Sequence, residues 1–188
     1  MFNGHRCLKF SQMPNILAAF TKGETMIFLV LGSQKFQMNR LLQKVDSLKE
    51  KGIITDPVVV QKGYSDYEPK HLISHDFLEK SVFEDYLEQA DLILCHGGTG
   101  VIVTSLKKGK KVIAVPRDRR YGEHVDQHQF QIVKLFSKLG FIEGVLDVEE
   151  LETALKNYQT QTYHPFVSTN QEFMQSLRKD LEDLISDN

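Results

Sequence analysis

The sequence has few cysteines, no long apolar run and no large excess of either charge. Its two cysteines, Cys7 and Cys95, support neither a disulfide framework nor a metal cluster, so we expect a reduced, cytoplasmic location and no metal. No apolar run approaches the roughly 20 residues that a membrane-spanning helix needs. The 23 lysines and arginines nearly balance the 25 aspartates and glutamates, which argues against a nucleic-acid-binding protein.

The first 25 residues show no clear period of apolar side chains, and their apolar patch at 16–20 is too short for a signal peptide. Two interpretations compete. The segment is an upstream extension, with Met26 as an alternative start, or it is a short amphipathic arm that touches a membrane or a partner. We favour the extension, and we therefore divide the chain into an extension at 1–25 and one domain at 26–188.

From Met26 onward, short apolar segments alternate with segments of helical period. The continuous apolar runs are typical of strands buried on both faces of a sheet. The predicted strands are 27–31, 57–61, 71–77, 91–95, 111–115 and 141–146; the predicted helices are about 41–52, 81–89, 101–108, 123–139, 148–158 and 169–185. This alternation predicts a single Rossmann-like α/β domain whose parallel sheet is covered by helices on both faces.

A glycine-rich loop follows the predicted strand 91–95, at the sheet edge where open α/β sheets bind ligands. Gly97, Gly98 and Gly100 let the backbone approach a bulky anion. The helix that follows offers free N–H groups and a positive dipole end, and Thr99 adds a hydroxyl donor or a helix cap. We therefore predict a diphosphate site, in preference to a tight turn without a ligand, because a plain turn seldom needs three glycines.

Two common nucleotide motifs are missing. The dinucleotide fingerprint G-x-G-x-x-G would follow the first strand, where only Gly32 and Ser33 occur. The P-loop pattern also fails, since no Gly-Lys-Ser/Thr follows the glycine loop. Neither a nicotinamide dehydrogenase nor a P-loop ATPase is favoured.

Polar residues crowd the segment 116–129 at the same predicted edge. Carboxylates and amides such as Glu123, Asp126 and Gln129 suit ribose and hexose hydroxyls. Acidic residues also favour helix N-termini for electrostatic reasons, which explains Asp126 equally well. Arg117 and its neighbouring arginines hold phosphates or face an anionic membrane, unless the loop is simply solvated.

Five motifs in this order resemble the C-terminal, donor-binding domain of GT-B glycosyltransferases of the peptidoglycan N-acetylglucosaminyltransferase type, family 28. They are IFLVLGSQ, GYSDYEP, DLILCHGGTG, KGKKVIAVPR and GEHVDQHQ, which cover about 26–146. The sequence is most similar to split members of this family. One is the catalytic subunit of the eukaryotic dolichol-linked N-acetylglucosaminyltransferase. Others are bacterial capsule and exopolysaccharide subunits, which are favoured by Gly63-Tyr64-Ser65 and by Arg117 followed by the last motif.

The resemblance implies roles for matching positions. The donor diphosphate would be bound by Gly97, Gly98, Thr99 and Gly100, with Gly32 and Ser33 approaching it from the first loop. Glu123 would contact the ribose or the donor sugar, Gln129 the sugar hydroxyls, and Asp126, His128, His96 and Arg117 complete the expected donor-binding set. His96 and Glu123 are also candidates for the catalytic base, and a partner is the alternative source. The first loop reads Gly32-Ser33-Gln34, where bacterial relatives often have Gly-Thr-His.

The resemblance further implies half of a two-part enzyme. A complete GT-B fold has two Rossmann-like domains, whereas this sequence predicts only the C-terminal one. A membrane-associated partner subunit would then bind a lipid-linked saccharide acceptor and hold this chain at the inner face of the membrane.

We expect inverting transfer of a hexose such as galactose from a UDP-sugar, with no cofactor, in exopolysaccharide or capsule synthesis. UDP-glucose, UDP-glucuronate and UDP-N-acetylglucosamine remain open as donors. The alternatives are an N-acetylglucosaminyltransferase subunit, a non-catalytic UDP-sugar-binding enhancer subunit, an epimerase of related fold, or a purely structural α/β module.

Overall fold

The computed structural model describes residues 7–8 and 25–167, and its centre is a parallel sheet. The strands are β1 (Cys7–Leu8), β2 (Ile27–Val30), β3 (Val58–Gln61), β4 (Ile73–His75), β5 (Phe77–Leu78), β6 (Leu92–His96), β7 (Lys111–Val115) and β8 (Glu143–Gly144). Six of them form one sheet in the order β4-β3-β2-β6-β7-β8, and every neighbouring pair is parallel. The short β1 pairs with β5 in a separate two-stranded sheet.

Helices cover both faces of the six-stranded sheet. They are α1 (Asn39–Glu50), α2 (Lys80–Gln89), α3 (Thr99–Lys107), α4 (His128–Lys138) and α5 (Leu151–Asn157), with short 3-10 helices at Arg119–Tyr121 and Val148–Glu150. Along β2 the buried side chains alternate between two apolar clusters. Leu29 packs with α1 and α5, whereas Phe28 packs with α2, α3 and α4. This arrangement confirms the predicted α/β fold.

The direction of chain winding reverses between β2 and β6. From β2 the chain continues to β3 on one side, and it later returns to β6 on the other side. The register pairs Val30 with Cys95, so the two strands end at the same edge of the sheet. The loops that follow them therefore flank a crevice, which is where open α/β sheets bind ligands.

Several predicted elements differ from the structure. The predicted strand 71–77 is divided into β4 and β5, and the predicted strand 141–146 is reduced to β8. The helix expected from Glu123 begins only at His128, where the Asp126 carboxylate accepts the backbone N–H of His128 at 3.0 Å. The preceding residues form a loop instead, because the Glu123 side chain turns into the interior. The predicted helix 169–185 and most of the 1–25 segment lie outside the described residues.

Candidate functional site

A cavity of about 460 Å³ lies at the crevice between β2 and β6. This volume is in the range of small-ligand sites. It is lined by most of the residues that the sequence analysis selected: Gly32, Ser33, His96, Gly98, Thr99, Gly100 and Gln129. The structure therefore brings the loop after β2, the glycine loop and the start of α4 to one place.

The glycines of the loop after β6 serve different purposes. A Cβ atom on Gly97 would lie 2.9 Å from both Gln129 Cβ and Val133 Cγ2, so Gly97 allows α4 to pack closely. A Cβ atom on Gly98 would overlap the imidazole of His96. A Cβ atom on Gly100 would meet no atom of the described residues within 4 Å, so there is open space on the cavity side of α3.

The first turn of α3 faces this cavity. The helix begins at Thr99, and Gly98 occupies the N-cap position, where no side chain of the described residues makes a capping hydrogen bond. The N–H groups of a first helical turn have no partner within the helix, and the helix dipole is positive at this end. Thr99 therefore lines the cavity instead of capping the helix, and the exposed helix start suits an anion.

His96 forms the floor between the two loops. Its Nδ1 lies 3.3 Å from the Val30 carbonyl oxygen, so Nδ1–H donates and Nε2 is left as an acceptor. Burial, and then the charge of Arg117, lower the pKa of His96 to about 4, and the bond to Val30 offsets this only in part. The imidazole is therefore neutral near pH 7 and is a weak base.

The loop after β3, which contains the GYSDYEP motif, supports the Gly32 loop. Gly63 has φ +60°, and a Cβ atom there would lie 2.5 Å from the carbonyl oxygen of Gly32. Ser65 accepts the backbone N–H of Met38 at 2.9 Å. This motif therefore fixes the cavity wall.

Arg117 is buried and ties the loop after β2 to the loop after β7. Its Nη1 donates to the carbonyl oxygens of Phe36 and Gln37, both at 3.1 Å, and of Glu123 at 2.9 Å. Its Nη2 donates to the carbonyl oxygen of Leu31. The guanidinium lies behind the cavity wall and makes its hydrogen bonds within the chain, so its predicted donor contact remains a prediction.

Glu123 is fully buried, and its carboxylate is engaged by Arg40 and by the backbone N–H of Asp118. Its Oε2 lies 2.9 Å from Arg40 Nη2 and accepts the Asp118 backbone N–H at 2.9 Å, while Oε1 accepts from Arg40 Nε at 3.2 Å. It faces a second cavity of about 550 Å³, which Tyr121 also lines. This geometry anchors the loop after β7, and the predicted donor contact of Glu123 remains a prediction.

The remaining selected residues differ in position. Gln129 lines the cavity and accepts the Arg117 backbone N–H at 3.1 Å. Asp126 and His128 lie outside the lining and form a cluster with His124. Within the described ranges 7–8 and 25–167, no three His, Cys, Asp or Glu side chains are grouped to hold a metal ion.

Several lining residues were not selected from the sequence. Gln34 lines the cavity from the same loop as the selected Gly32 and Ser33, and Gln61 lines it from the carboxyl end of β3, a position that the strand pattern could have indicated. Phe83 and Thr104 reach it from α2 and α3. Their place depends on how the helices pack, which no local pattern in the sequence indicates.

Comparison with protein families gives one clear match. The model of the glycosyltransferase family 28 C-terminal domain matches residues 26–184.

Within the described part of the chain, no helix combines the length and apolar character needed to cross a membrane.

Curated relatives carry the name UDP-N-acetylglucosamine transferase subunit ALG13. The Saccharomyces cerevisiae protein is 36% identical over 106 residues, which is 54% of this chain and 49% of the relative. The Candida glabrata protein is 37% identical over 90 residues, which is 47% of this chain and 43% of the relative. The chain thus spans about half the length of these relatives or less.

Solved structures share the fold. The solution structure of ALG13 has a TM-score of 0.56 at 21% identity and covers 82% of this chain and 95% of its own length. The glycosyltransferase SnogD from Streptomyces nogalater has a TM-score of 0.53 at 18% identity. That match covers 97% of this chain but only 44% of SnogD, so the chain corresponds to one part of the larger structure.

Proposed function

This chain belongs to the glycosyltransferase family 28 C-terminal domain family, and from that premise we propose that it is the donor-binding subunit of a UDP-sugar-dependent glycosyltransferase. The observation that carries the proposal is the cavity at the β2–β6 crevice, into which the start of α3 opens. The donor diphosphate would lie there, against the N–H groups of the first helical turn.

The same arrangement supports catalysis by charge stabilisation. When the sugar leaves the donor, negative charge grows on the diphosphate. Preorganised N–H groups and a helix dipole stabilise that charge more in the transition state than in the ground state. The fixed loops around His96 keep these groups in place without reorganisation. We propose inverting transfer to an acceptor hydroxyl.

Two observations bear on the donor sugar. The names of the curated relatives favour N-acetylglucosamine. The GEHVDQHQ motif, through its resemblance to bacterial polysaccharide subunits, favours a hexose such as galactose. We take UDP-N-acetylglucosamine as the first donor to test and UDP-galactose as the second.

The proposal includes a partner subunit. The relatives are named as subunits. This naming supports a second polypeptide that binds the acceptor. A membrane-associated partner with a lipid-linked saccharide acceptor would hold this chain at the cytoplasmic face of a membrane.

A non-catalytic UDP-sugar-binding subunit is the second candidate. One observation favours it: both bases considered from the sequence are poorly suited to proton transfer. His96 has a pKa lowered to about 4 by burial, and Glu123 is engaged by Arg40 and the Asp118 backbone. Such a subunit would bind a UDP-sugar and give no transfer with its partner present.

Calorimetric titration of the full chain tests donor binding, with UDP and the N-acetylglucosamine, galactose, glucose and glucuronate conjugates as ligands. Gly98→Asp should abolish binding, because its side chain would overlap His96 and its charge would oppose the diphosphate. Gly109→Asp is the matched control. Among the described residues, a Cβ atom on Gly109 would meet no atom within 4 Å, and the residue follows the far end of α3, about 15 Å along the helix from Thr99. Its φ of +69° strains side chains, but Asp adopts this conformation more readily than most residues, and a melting temperature verifies that the variant folds.

The outcomes separate clearly. Binding by the wild type and the Gly109→Asp variant, with none by Gly98→Asp, would support the donor site and identify the sugar. Equal binding by all three proteins would show that the nucleotide binds at a site other than the glycine loop. A wild-type chain that binds no UDP compound would overturn the proposal.

A further inference from the structure

A histidine–carboxylate pair lies next to Gln34, a residue of the cavity lining. His124 Nδ1 is 3.0 Å from Asp126 Oδ1. On the other side of the ring, Nε2 is 3.1 Å from Oε1 of Gln34, which lines the cavity. The ring also packs against Phe36, with 5.4 Å between ring centroids. These contacts fix the imidazole with one nitrogen on a carboxylate and the other on Gln34, which itself belongs to the cavity lining.

The carboxylate determines which nitrogen carries the proton. An Nδ1–H that donates to Asp126 leaves Nε2 with its lone pair in the neutral imidazole. The Asp126 backbone N–H also lies 3.3 Å from Nδ1, which would require Nδ1 to accept. The shorter, charge-assisted contact at 3.0 Å outweighs it. With its amide rotated by 180°, Gln34 donates its NH2 group to His124 Nε2 in this state; in the orientation of the structure, Gln34 Oε1 accepts from Nε2–H once the ring is protonated.

We propose that His124 is the catalytic base of the transfer reaction and that Asp126 is its positioning residue; this inference rests on the proposed function. His124 is better suited than the two bases considered from the sequence. Its side chain is 14% exposed and has its own carboxylate partner. Among the described residues His96 has no carboxylate partner, and the Glu123 carboxylate is already engaged by Arg40 and the Asp118 backbone N–H.

The step balances as follows. The acceptor hydroxyl loses its proton to Nε2 of His124 while its oxygen attacks the anomeric carbon of the donor. The bond from that carbon to the diphosphate oxygen breaks, and its electron pair leaves with UDP. The charge of Asp126 stabilises the resulting imidazolium, which returns its proton to water.

Other titratable groups face this pair. His128, on α4, has its Nε2 3.6 Å from Asp126 Oδ2. His96, on β6, interacts electrostatically with His124. Variants at Asp126 must therefore keep the hydrogen bond that Asp126 Oδ1 accepts from the His128 backbone N–H at 3.0 Å, just before α4.

The test uses the full chain added to membranes from a source strain that lacks its gene, so that the membranes supply the partner and the acceptor. Radiolabelled UDP-sugar, chosen by calorimetry, reports transfer into lipid-extractable material. His124→Gln should lower turnover by at least about 100-fold. The affinity of the variant for the UDP-sugar should stay within about two-fold of wild type, because the lining residues are unchanged.

Two further variants show whether the effect is chemical. Asp126→Asn keeps the Oδ1 acceptor but removes the charge that favours the imidazolium. Turnover should fall, and the acidic limb of the pH–rate profile should move to lower pH. His164→Gln is the matched histidine control. His164 is exposed and contacts the Leu139 carbonyl at the far end of α4, so its replacement should leave both turnover and profile unchanged.

Three results would overturn the inference. His124→Gln with wild-type turnover would exclude His124 as the base. Loss of UDP-sugar affinity in proportion to turnover would make His124 a binding residue. An unmoved acidic limb in Asp126→Asn would reduce the pair to a structural role. If the wild-type chain binds no UDP-sugar, or binds one and transfers nothing, then the proposed function itself fails, and the base assignment fails with it.

Discussion

A Cβ atom added to Gly98 would overlap Nε2 of His96 and lie 3.0 Å from its Cε1. Gly32, whose φ is +86°, meets the same ring from the other loop, where a Cβ atom would lie 2.9 Å from Cε1 and Nε2. The imidazole is thus the spacer between the two loops at the point where the sheet reverses its winding. The width of the cavity depends on both glycines.

Gly98→Ala should therefore weaken UDP-sugar binding by at least about ten-fold, because either the ring or the glycine loop must move. Gly100→Ala should cost less, since its Cβ atom meets open space and alanine favours the helix. Calorimetry on both variants, with melting temperatures to verify folding, makes the comparison. Equal losses would show that the space around residue 98 does not limit binding.

The sheet was predictable because its signal is local. The apolar run 27–31 and the lysine-to-valine run 111–115 identify β2 and β7 almost to the residue, and the glycine loop falls where strand ends bind ligands. The burial and the hydrogen-bond partners of Arg117 and Glu123 were not predictable from the sequence. Their partners lie far away in the chain: Leu31 is 86 positions from Arg117, and Arg40 is 83 positions from Glu123. A sequence shows charge, but burial and pairing come from the tertiary fold.

Arg117→Leu should lower the free energy of unfolding by at least about 3 kcal/mol, because the carbonyl groups around its guanidinium lose their buried donor. Arg117→Lys should also destabilise the protein, since an ammonium group cannot reproduce the planar set of donors. Urea denaturation measures both, and the exposed Arg119→Leu is the control, expected within about 0.5 kcal/mol of wild type. Wild-type stability with lost nucleotide binding would instead identify Arg117 as a direct donor contact.

Asp46 holds the loop after β3 against α1 through hydrogen bonds from the Tyr67 hydroxyl at 2.7 Å and the backbone N–H groups of Lys70 and His71 at 3.0 and 2.8 Å. Burial alone would raise the pKa of Asp46, but these bonds and the His71 charge lower it overall. A carboxylate with a lowered folded-state pKa stabilises the protein above its unfolded value of 3.8, and this contribution is lost as the pH falls through the folded value.

Asp46→Asn should consequently cost about 1–2 kcal/mol at pH 7, and the difference from wild type should shrink below pH 4. Urea midpoints measured from pH 3 to pH 7 test this, with the exposed Glu50→Gln as control. A constant difference across the whole range would mean that the charge of Asp46 contributes nothing.

His96 should also make the protein less stable in acid, but for a different reason: burial disfavours its charged form, whereas hydrogen bonds favour the charged form of Asp46. Burial, followed by the charge of Arg117, lowers the pKa of His96 to about 4, whereas the unfolded chain keeps a value near 6.5. Between these values the unfolded state binds the extra proton, so acid favours unfolding. Wild type should lose up to about 3 kcal/mol between pH 6.5 and pH 4 through this group. His96→Gln should lack that component in a matched series of urea titrations.

The same histidine reports where the diphosphate binds. A diphosphate against Gly98 and Thr99 brings negative charge close to His96 and favours the protonated ring. Binding of UDP-N-acetylglucosamine should therefore be accompanied by proton uptake at His96 at pH 5, and by little proton uptake at pH 7.5. The sugar conjugate is preferable to UDP, whose terminal phosphate titrates near pH 6. Calorimetry at pH 5 in two buffers of different ionisation enthalpy measures the uptake, and His96→Gln should abolish it. Identical enthalpies for the wild type in both buffers would place the diphosphate away from the glycine loop, even if the nucleotide binds.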